Sequence, residues 1–277
     1  MVDKIPWGEY AESFVDVVKD NLEPLLDFIY SLLNGLMNAT QDLLTSLPDL
    51  AMILAICIFS LLVTRKIVLS GLIGVALLMI WNMGLWELSM MTLTLVVVAA
   101  VISLVTGIPL GILSAKNDWI NKGMKVILDF MQTMPSFVYL IPVVILFRLG
   151  NVPGIIATVI FALPPVVRFT DLGIREVPKE LKEVSDSFGT TWLQKLTKVE
   201  MPMARPTIMA GINQCIMLSL SMVVIASMIG AAGLGRNVLI AIQRVDVALG
   251  FEAGLAVVLL AIILDRITQS LGSKKLG

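Results

Sequence analysis

A polar segment interrupts an otherwise apolar chain between residues 175 and 205, and its residue types are those of a docking element. Its most regular part begins with Glu183-Val184-Ser185, reaches Gly189 after three further residues, and ends nine residues later with Val199-Glu200-Met201-Pro202. Small residues at its centre permit close approach to another surface, and the Glu183 carboxylate can pair with a cation. The chemistry that this segment offers is therefore docking rather than catalysis.

Residues around Gly189 predict two short helices that meet at a bend. Pro178 and Glu180 suit the first turn of the first helix, because proline needs no donor there and an acid favours the positive end of the helix dipole. Thr190-Thr191 can cap the second helix. We expect Pro202 and Pro206 to end that helix before the next apolar stretch begins. The residues predicted to contact a partner are Glu183, Ser185, Phe188, Gly189, Thr190, Thr191, Met201 and Pro202.

The composition predicts an all-α, polytopic membrane protein. Of its 277 residues, 57% are hydrophobic and 15% are charged, whereas soluble domains carry roughly 25% charged residues. A membrane-spanning helix needs about 20 apolar residues. Seven stretches are predicted to span the membrane: Leu50–Thr64, Ile67–Trp86, Leu88–Ala115, Phe130–Phe147, Leu149–Val167, Pro206–Gly235 and Ala248–Thr268. The chain has no histidine, which excludes histidine metal sites and histidine acid–base catalysis.

Basic residues predict the orientation, because lysine and arginine concentrate in short cytoplasmic loops. With seven spans, four basic segments fall on one side: Arg65-Lys66, residues 116–125, residues 175–205 and Lys274-Lys275. The N-terminus is then predicted outside, and the C-terminus, with a tail of residues 271–277, in the cytoplasm. Charged residues at span ends, among them Arg168 and Asp171, are predicted to be interfacial anchors. Arg168 and Asp171 are also predicted to form a local pair.

Residues 1–47 are predicted to form an amphipathic tail on the outer side. Apolar residues recur there at alternating steps of three and four, which places them on one helical face: Val15, Val18, Leu22, Leu25, Ile29, Leu32 and Leu36. Pro24 should kink this helix because it removes a backbone donor. Two placements remain open, one on the membrane surface and one against the chain's own spans or a dimer mate.

The 175–205 segment resembles the loop by which ABC importer permeases grip their ATPase, and we call it the coupling loop; alone, it would also fit an ordinary amphipathic cytoplasmic loop. Residues 128–142, 161–168 and 211–226 are similar to the permease subunit of glycine betaine/proline betaine importers. The resemblance implies a type I ABC importer permease fold with cytoplasmic coupling helices. It also implies a core permease domain over residues 88–270, preceded by two accessory spans within residues 48–86.

The resemblance further implies a set of partners in the cell inner membrane. They are a second copy of the chain, two ATP-binding subunits and an external binding protein, which we expect to be a separate product because the sequence stops at Gly277. No phosphate-binding loop of the G-x-x-x-x-G-K-[ST] type occurs. ATP and Mg²⁺ are therefore expected on the partner ATPase, with no cofactor on this chain. Membrane lipid is an expected partner, and nucleic acid is not.

A solute path is predicted along the fourth and sixth spans. A betaine has a permanent cation, for which aromatic faces and thioethers provide weak contacts, and a carboxylate, which amides and hydroxyls can bind. The residues predicted to line the path are Met131, Gln132, Thr133, Met134, Pro135, Phe137 and Tyr139, and then Asn213, Gln214, Ser219, Ser221 and Met222. The alternative is that these side chains pack helices together. Pro135 and Pro142 should both bend the fourth span.

Three other functions are open to a chain of this kind. One is an ABC permease for choline, carnitine, trimethylamine N-oxide or, more remotely, methionine. Another is an ion-driven secondary transporter, which should show inverted repeats and ionisable residues at mid-membrane, features that this sequence lacks. The third is a membrane-embedded enzyme, for which the spans offer no evident catalytic group.

Overall fold

The computed structural model of this chain describes residues 6–272, which form helices and no strand, as the predicted all-α class requires. The helices are α1 (Trp7–Thr45), α2 (Asp49–Thr64), α3 (Ile67–Asn82), α4 (Trp86–Lys116), α5 (Asp118–Thr133), α6 (Ser136–Phe147), α7 (Asn151–Arg175), α8 (Lys179–Ser187), α9 (Trp192–Lys195), a π-helical turn (Leu196–Glu200), α10 (Met201–Ser227), α11 (Leu234–Arg244) and α12 (Val247–Gly272). Residues 1–5 of the predicted outer tail and 273–277 of the predicted cytoplasmic tail lie outside the described residues.

The number of spans differs from the seven predicted. Within residues 6–272, four helices are long and apolar enough to cross a membrane: α4, α7, the continuous helix Trp192–Ser227, and α12. The number rises to six if the bent pairs α1–α2 and α5–α6 each count as one span. Helices α2 and α3 have 16 residues each, and at 1.5 Å per residue such a helix reaches about 24 Å, less than the hydrocarbon thickness of about 30 Å.

The packed centre of the protein consists of α4, α7 and α10. Within it, α4 and α7 pack together and run in the same direction. Gly107 of α4 faces Val166 of α7, and Gly111 faces Thr170 one turn further along both helices. Small residues at these positions let the two backbones approach closely, as is usual between membrane helices.

Helix α10 completes this centre by packing antiparallel to α7. Gly173 near the end of α7 meets Ala204 near the start of α10, whereas Gly211 further along α10 meets Phe169 further back on α7. The two closely packed pairs therefore fix α4, α7 and α10 as a unit, from which the coupling loop projects between α7 and α10.

The predicted fourth span is not one helix but two, α5 and α6, which meet at an angle of 97°. Met134 is extended, with φ −70° and ψ 128°, and Pro135 begins the next element. Proline favours this break because it disfavours the α conformation in the residue before it and supplies no N–H. Pro142 lies inside α6 without ending it, so of the two prolines only Pro135 divides the predicted span.

Helix α1 is continuous through Pro24, so the expected kink does not divide it. Its later turns pack against the spans: Leu33 and Met37 are buried with residues of α4, α6 and α7. This contact favours packing on the chain's own spans for this part of the helix. Neither Leu33 nor Met37 belongs to the predicted apolar stripe, of which Leu22, Leu25, Leu32 and Leu36 remain exposed on the single chain. The helix therefore packs through a face next to the predicted one.

Candidate functional site

The coupling loop contains the predicted bend. Helix α8 begins after Pro178 and carries Glu180 in its first turn. Gly189 follows with φ +71°, and its N–H donates to the Asp186 carbonyl at 2.9 Å. A left-handed residue after a helix is usually glycine, because other side chains are strained there. The sequence prediction of two helices meeting at this glycine is confirmed.

Ser185 and Thr190 close the bend from inside. Their hydroxyl oxygens lie 2.6 Å apart, and the Thr190 hydroxyl also donates to the Ser185 carbonyl at 2.9 Å. The Ser185 side chain is buried on the single chain, so it shapes the bend, and its predicted contact with a partner stays a prediction. Next to it, Thr191 and Gln194 form a reciprocal capping box at the start of α9, which confirms the predicted cap.

The outer side of the bend presents apolar side chains that nothing within residues 6–272 covers. Phe188 is 84% exposed, although phenylalanine is usually among the more buried residue types. Trp192, Leu193 and Val184 are also more than half exposed, and Glu183 lies exposed beside them. The sequence predictions included Phe188 and Glu183 but missed Trp192. The signal in the sequence was the position of Trp192 directly after the capping threonine.

The second coupling helix does not end at the prolines, which corrects the sequence prediction. Helix α9 continues through the π-helical turn into α10, so that Trp192–Ser227 is one helix. In the π turn the Met201 N–H bonds to the Leu196 carbonyl, five residues back. Pro202 follows directly after this bond, in the first turn of α10. Met201 and Pro202 are half-buried and belong to this junction rather than to the exposed face.

An ion pair with a buried carboxylate, not predicted from the sequence, joins this junction to α4. The Lys116 ammonium lies 2.6 and 2.5 Å from the two carboxylate oxygens of Glu200, and the Glu200 side chain is only 2% exposed. The signal in the sequence was a lone acid between Val199 and Met201. Its partner lies 84 positions away, too far for any local pattern to indicate.

A second polar cluster joins α5 to α7 and replaces the predicted Arg168–Asp171 pair. Arg168 instead binds Asp129 of α5 at 2.5 Å. Asp171 pairs with Arg175 at 2.9 Å, and Arg175 also reaches Asp118 at 2.7 Å. Arg168 therefore reaches across to α5, whereas Asp171 pairs with Arg175 one turn further along α7, so each member of the predicted pair has another partner.

Part of the predicted solute path comes together in the fold. Tyr139 and Met222 are buried in one cluster, with Met134 and Phe161 packed at its edge. The fourth and sixth predicted spans therefore contribute to one cluster, together with α7. The Asn213 side-chain oxygen is buried and has no hydrogen-bond partner within residues 6–272.

The remaining path residues are not gathered at that cluster. Six of them are exposed on the single chain: Gln132, Thr133, Pro135, Phe137, Gln214 and Ser221. Met131 is half-buried. Two serines bond to their own helix, Ser219 to the Cys215 carbonyl and Ser221 to the Met217 carbonyl. For Ser219, which is buried, this bond leaves packing as the simpler role.

Comparison with solved structures reveals the same arrangement of helices in an ABC importer. The chain superposes on a chain of the inward-facing MetNI methionine ABC transporter with a TM-score of 0.59 and 21% sequence identity, covering 65% of this chain and 93% of the other. At this identity the likeness shows the fold alone, and it confirms the predicted importer-permease fold.

Sequence comparison extends the likeness over nearly the whole chain. The glycine betaine/carnitine transport permease protein GbuB of Listeria monocytogenes is 49% identical over 276 residues, 99% of this chain and 98% of the relative. The glycine betaine transport system permease protein OpuAB of Bacillus subtilis is 45% identical, over 98% of this chain and 96% of the relative. The profile of one family matches residues 107–276. The chain belongs to that family, the binding-protein-dependent transport system inner membrane components.

Proposed function

We propose that this chain is the membrane-spanning subunit of an ATP-driven importer for glycine betaine or a related quaternary ammonium osmolyte. The observation that carries the proposal is the identity of 49% and 45%, over nearly full length, with permeases named for glycine betaine. Carnitine, which one of these names also includes, is an alternative solute. Choline and trimethylamine N-oxide are further alternatives, supported by relatives that match at lower identity.

The chain acts within a larger assembly. The family description itself includes a binding protein, which we propose to be a separate protein on the outer side. Two copies of the chain form the path, and two ATP-binding subunits contact their coupling loops. ATP and Mg²⁺ act on those subunits, and this chain binds no cofactor. The chain lies in the inner membrane. The proposed orientation, with the N-terminus outside and the C-terminus in the cytoplasm, requires an odd number of crossings, a condition that is met if the short helices α2 and α3 each cross the membrane.

The exposed side of the coupling loop supports the role of the loop in docking. Phe188 and Trp192 would enter a groove of the ATP-binding subunit, since exposed aromatic side chains are common anchors of protein interfaces. When ATP closes the two ATP-binding subunits, each loop moves with its groove. The spans then exchange an inward-open for an outward-open arrangement, and hydrolysis resets the cycle.

The cluster around Tyr139 is the proposed contact for the solute as it crosses. An aromatic ring and the thioethers of Met134 and Met222 attract a quaternary nitrogen weakly, without the strong binding that a carboxylate would cause. Asn213 is a further proposed path residue, since its buried side-chain oxygen has no hydrogen-bond partner within residues 6–272 and its amide nitrogen could bind the carboxylate.

Uptake of labelled glycine betaine into proteoliposomes tests this function. The vesicles contain the chain with its ATP-binding subunit and binding protein, with ATP present or absent inside. Accumulation only with ATP is the expected result, and competition by choline, carnitine and trimethylamine N-oxide ranks the solutes. Accumulation driven by an ion gradient without ATP would contradict the proposal, and ATP hydrolysis stimulated only by a different solute would refute the substrate.

A further inference from the structure

The Lys116–Glu200 ion pair lies where three parts of the chain meet. Lys116 is the last residue of α4, and Glu200 is the last residue of the π-helical turn that continues the coupling loop into α10. The loop is thus joined to α10 through the backbone and to α4 through two contacts of the Lys116 ammonium, at 2.6 and 2.5 Å. Any displacement of the π turn must move α4 or break these contacts.

The surroundings of the pair make separation of the charges costly. An apolar cluster of Ile174, Leu196, Ala204 and Ile208 lies around the turn, with Ile112 of α4 packed against it. Water is largely excluded from Glu200, whose side chain is 2% exposed. Attraction between opposite charges is stronger in such surroundings than in water, and a charge left there without its partner is strongly unfavourable.

A second lysine draws α8 to the same junction. Lys182 of α8 donates to the Ile174 carbonyl of α7 at 3.0 Å. Burial lowers the pKa of Lys182 below its usual value, while the nearby Glu200 carboxylate acts in the opposite direction. The first coupling helix therefore contacts the end of α7 at the place where Glu200 holds the end of α4.

The position of the pair between the docking face and the spans suggests more than a stabilising role. Phe188 and Trp192 lie on the exposed side of the bend, and the π turn follows one short helix later. Single π-helical turns within α-helices are often found at functional sites. We propose that the Lys116–Glu200 pair transmits movement of the docked coupling loop to α4, and so couples ATP hydrolysis to transport. This inference rests on the proposed importer function.

A coupling role and a purely structural role predict different results in the reconstituted importer. If the pair only stabilises the fold, loss of a charge lowers ATP hydrolysis and solute uptake together. If it transmits movement, the ATP-binding subunits continue to hydrolyse while α4 no longer follows. The number of solute molecules imported per ATP hydrolysed therefore separates the two roles, because a loss of folded protein does not change that ratio.

The variants to compare are Lys116→Met, Glu200→Gln, the two combined, and the reversed pair Lys116→Glu/Glu200→Lys. We expect each single variant to import about tenfold less solute per ATP, the size of a typical coupling free energy. The combined variant leaves no unpaired buried charge, so it should fold even if a single variant does not, and it should show the same low ratio. The reversed pair should recover most of the ratio.

A matched control comes from an ion pair that also joins two helices but is exposed. Arg168 and Asp129 lie 2.5 Å apart with side chains 41% and 66% exposed, and Arg168→Gln/Asp129→Asn should leave the ratio unchanged. An unchanged ratio in both the combined and the single variants would overturn the inference, as would a reversed pair no better than the single variants. Uptake without ATP by the unaltered chain would instead refute the proposed function, so the two failures are distinguishable.

Discussion

Ser185 and Thr190 face each other across the bend of the coupling loop, with hydroxyl oxygens 2.6 Å apart. Thr190 also donates to the Ser185 carbonyl, so one side chain satisfies both a hydroxyl and a backbone group. This contact holds the end of α8 against the start of the next helix and sets the angle at which the apolar side chains between them project.

Replacing Ser185 by alanine should loosen the bend without disturbing the spans. Ser185 is buried, and its loss leaves the Thr190 hydroxyl with only its carbonyl partner, so we expect local stability to fall by about 1 kcal/mol. Faster hydrogen exchange of the amides between Asp186 and Thr190 would show this. Ser187→Ala is the matched control, because Ser187 is exposed and bonds only to the Glu183 carbonyl of its own helix. Equal exchange in the two variants would contradict the prediction.

Gly189 should tolerate substitution only by residues that accept a left-handed backbone. A side chain here would meet nothing within 4 Å, so space is not the obstacle, but φ is +71°. Valine should cost about 1–2 kcal/mol and asparagine considerably less. We expect Gly189→Val to weaken copurification of the ATP-binding subunit and Gly189→Asn to retain it. If both variants copurified equally well, the bend would not be needed for docking.

Phe188→Ser should weaken binding of the ATP-binding subunit while leaving the permease folded. The ring is 84% exposed, so its removal costs the isolated chain little. An aromatic anchor at an interface typically contributes 2 kcal/mol or more, which corresponds to a loss of affinity of about 30-fold. Affinity can be measured with the permease in nanodiscs and the purified subunit in solution. Trp119→Ser is the control, since Trp119 is 83% exposed but lies on α5, outside the coupling loop. A similar loss for both variants would argue against a specific anchor.

The bend could be predicted from sequence because its determinants are local. A glycine after an amphipathic turn, followed by a capping threonine, specifies the Gly189 bend and the Thr191 cap within a few residues. The outcome at the prolines could not be read in the same way. Pro135 separates two helices, whereas Pro206 lies inside one, and the difference depends on how the rest of the chain satisfies the freed backbone groups.

Contacts between distant residues escaped prediction for a different reason. Glu200 and Lys116 are 84 positions apart, and Arg168 and Asp129 are 39 apart. Each charge has several possible partners in the sequence, and only the packing of α4, α5, α7 and α10 selects one. The sequence predicted only that the spans of Tyr139 and Met222 line a common path. It could not predict that these two residues share one cluster, because that contact depends on how both spans pack around α7.

Gly111 should not tolerate even a single added methyl group. A Cβ atom there would lie 2.5 Å from the Thr170 Cβ and 2.8 Å from the Val167 carbonyl oxygen, so α4 and α7 would have to move apart. Overpacking of this kind costs about 1–3 kcal/mol. Thermal unfolding of the purified permease should therefore show a lower midpoint for Gly111→Ala.

The matched control for this prediction is Gly123→Ala. Its new methyl group meets nothing within 4 Å, and alanine favours the helix by about 1 kcal/mol, so its midpoint should stay equal or rise. A Gly111→Ala midpoint as high as that of Gly123→Ala would mean that α4 and α7 do not pack as closely as the structure has them. If the midpoint falls while the solute imported per ATP stays unchanged, the α4–α7 contact serves stability alone. It would then differ in role from the Lys116–Glu200 pair at the end of α4.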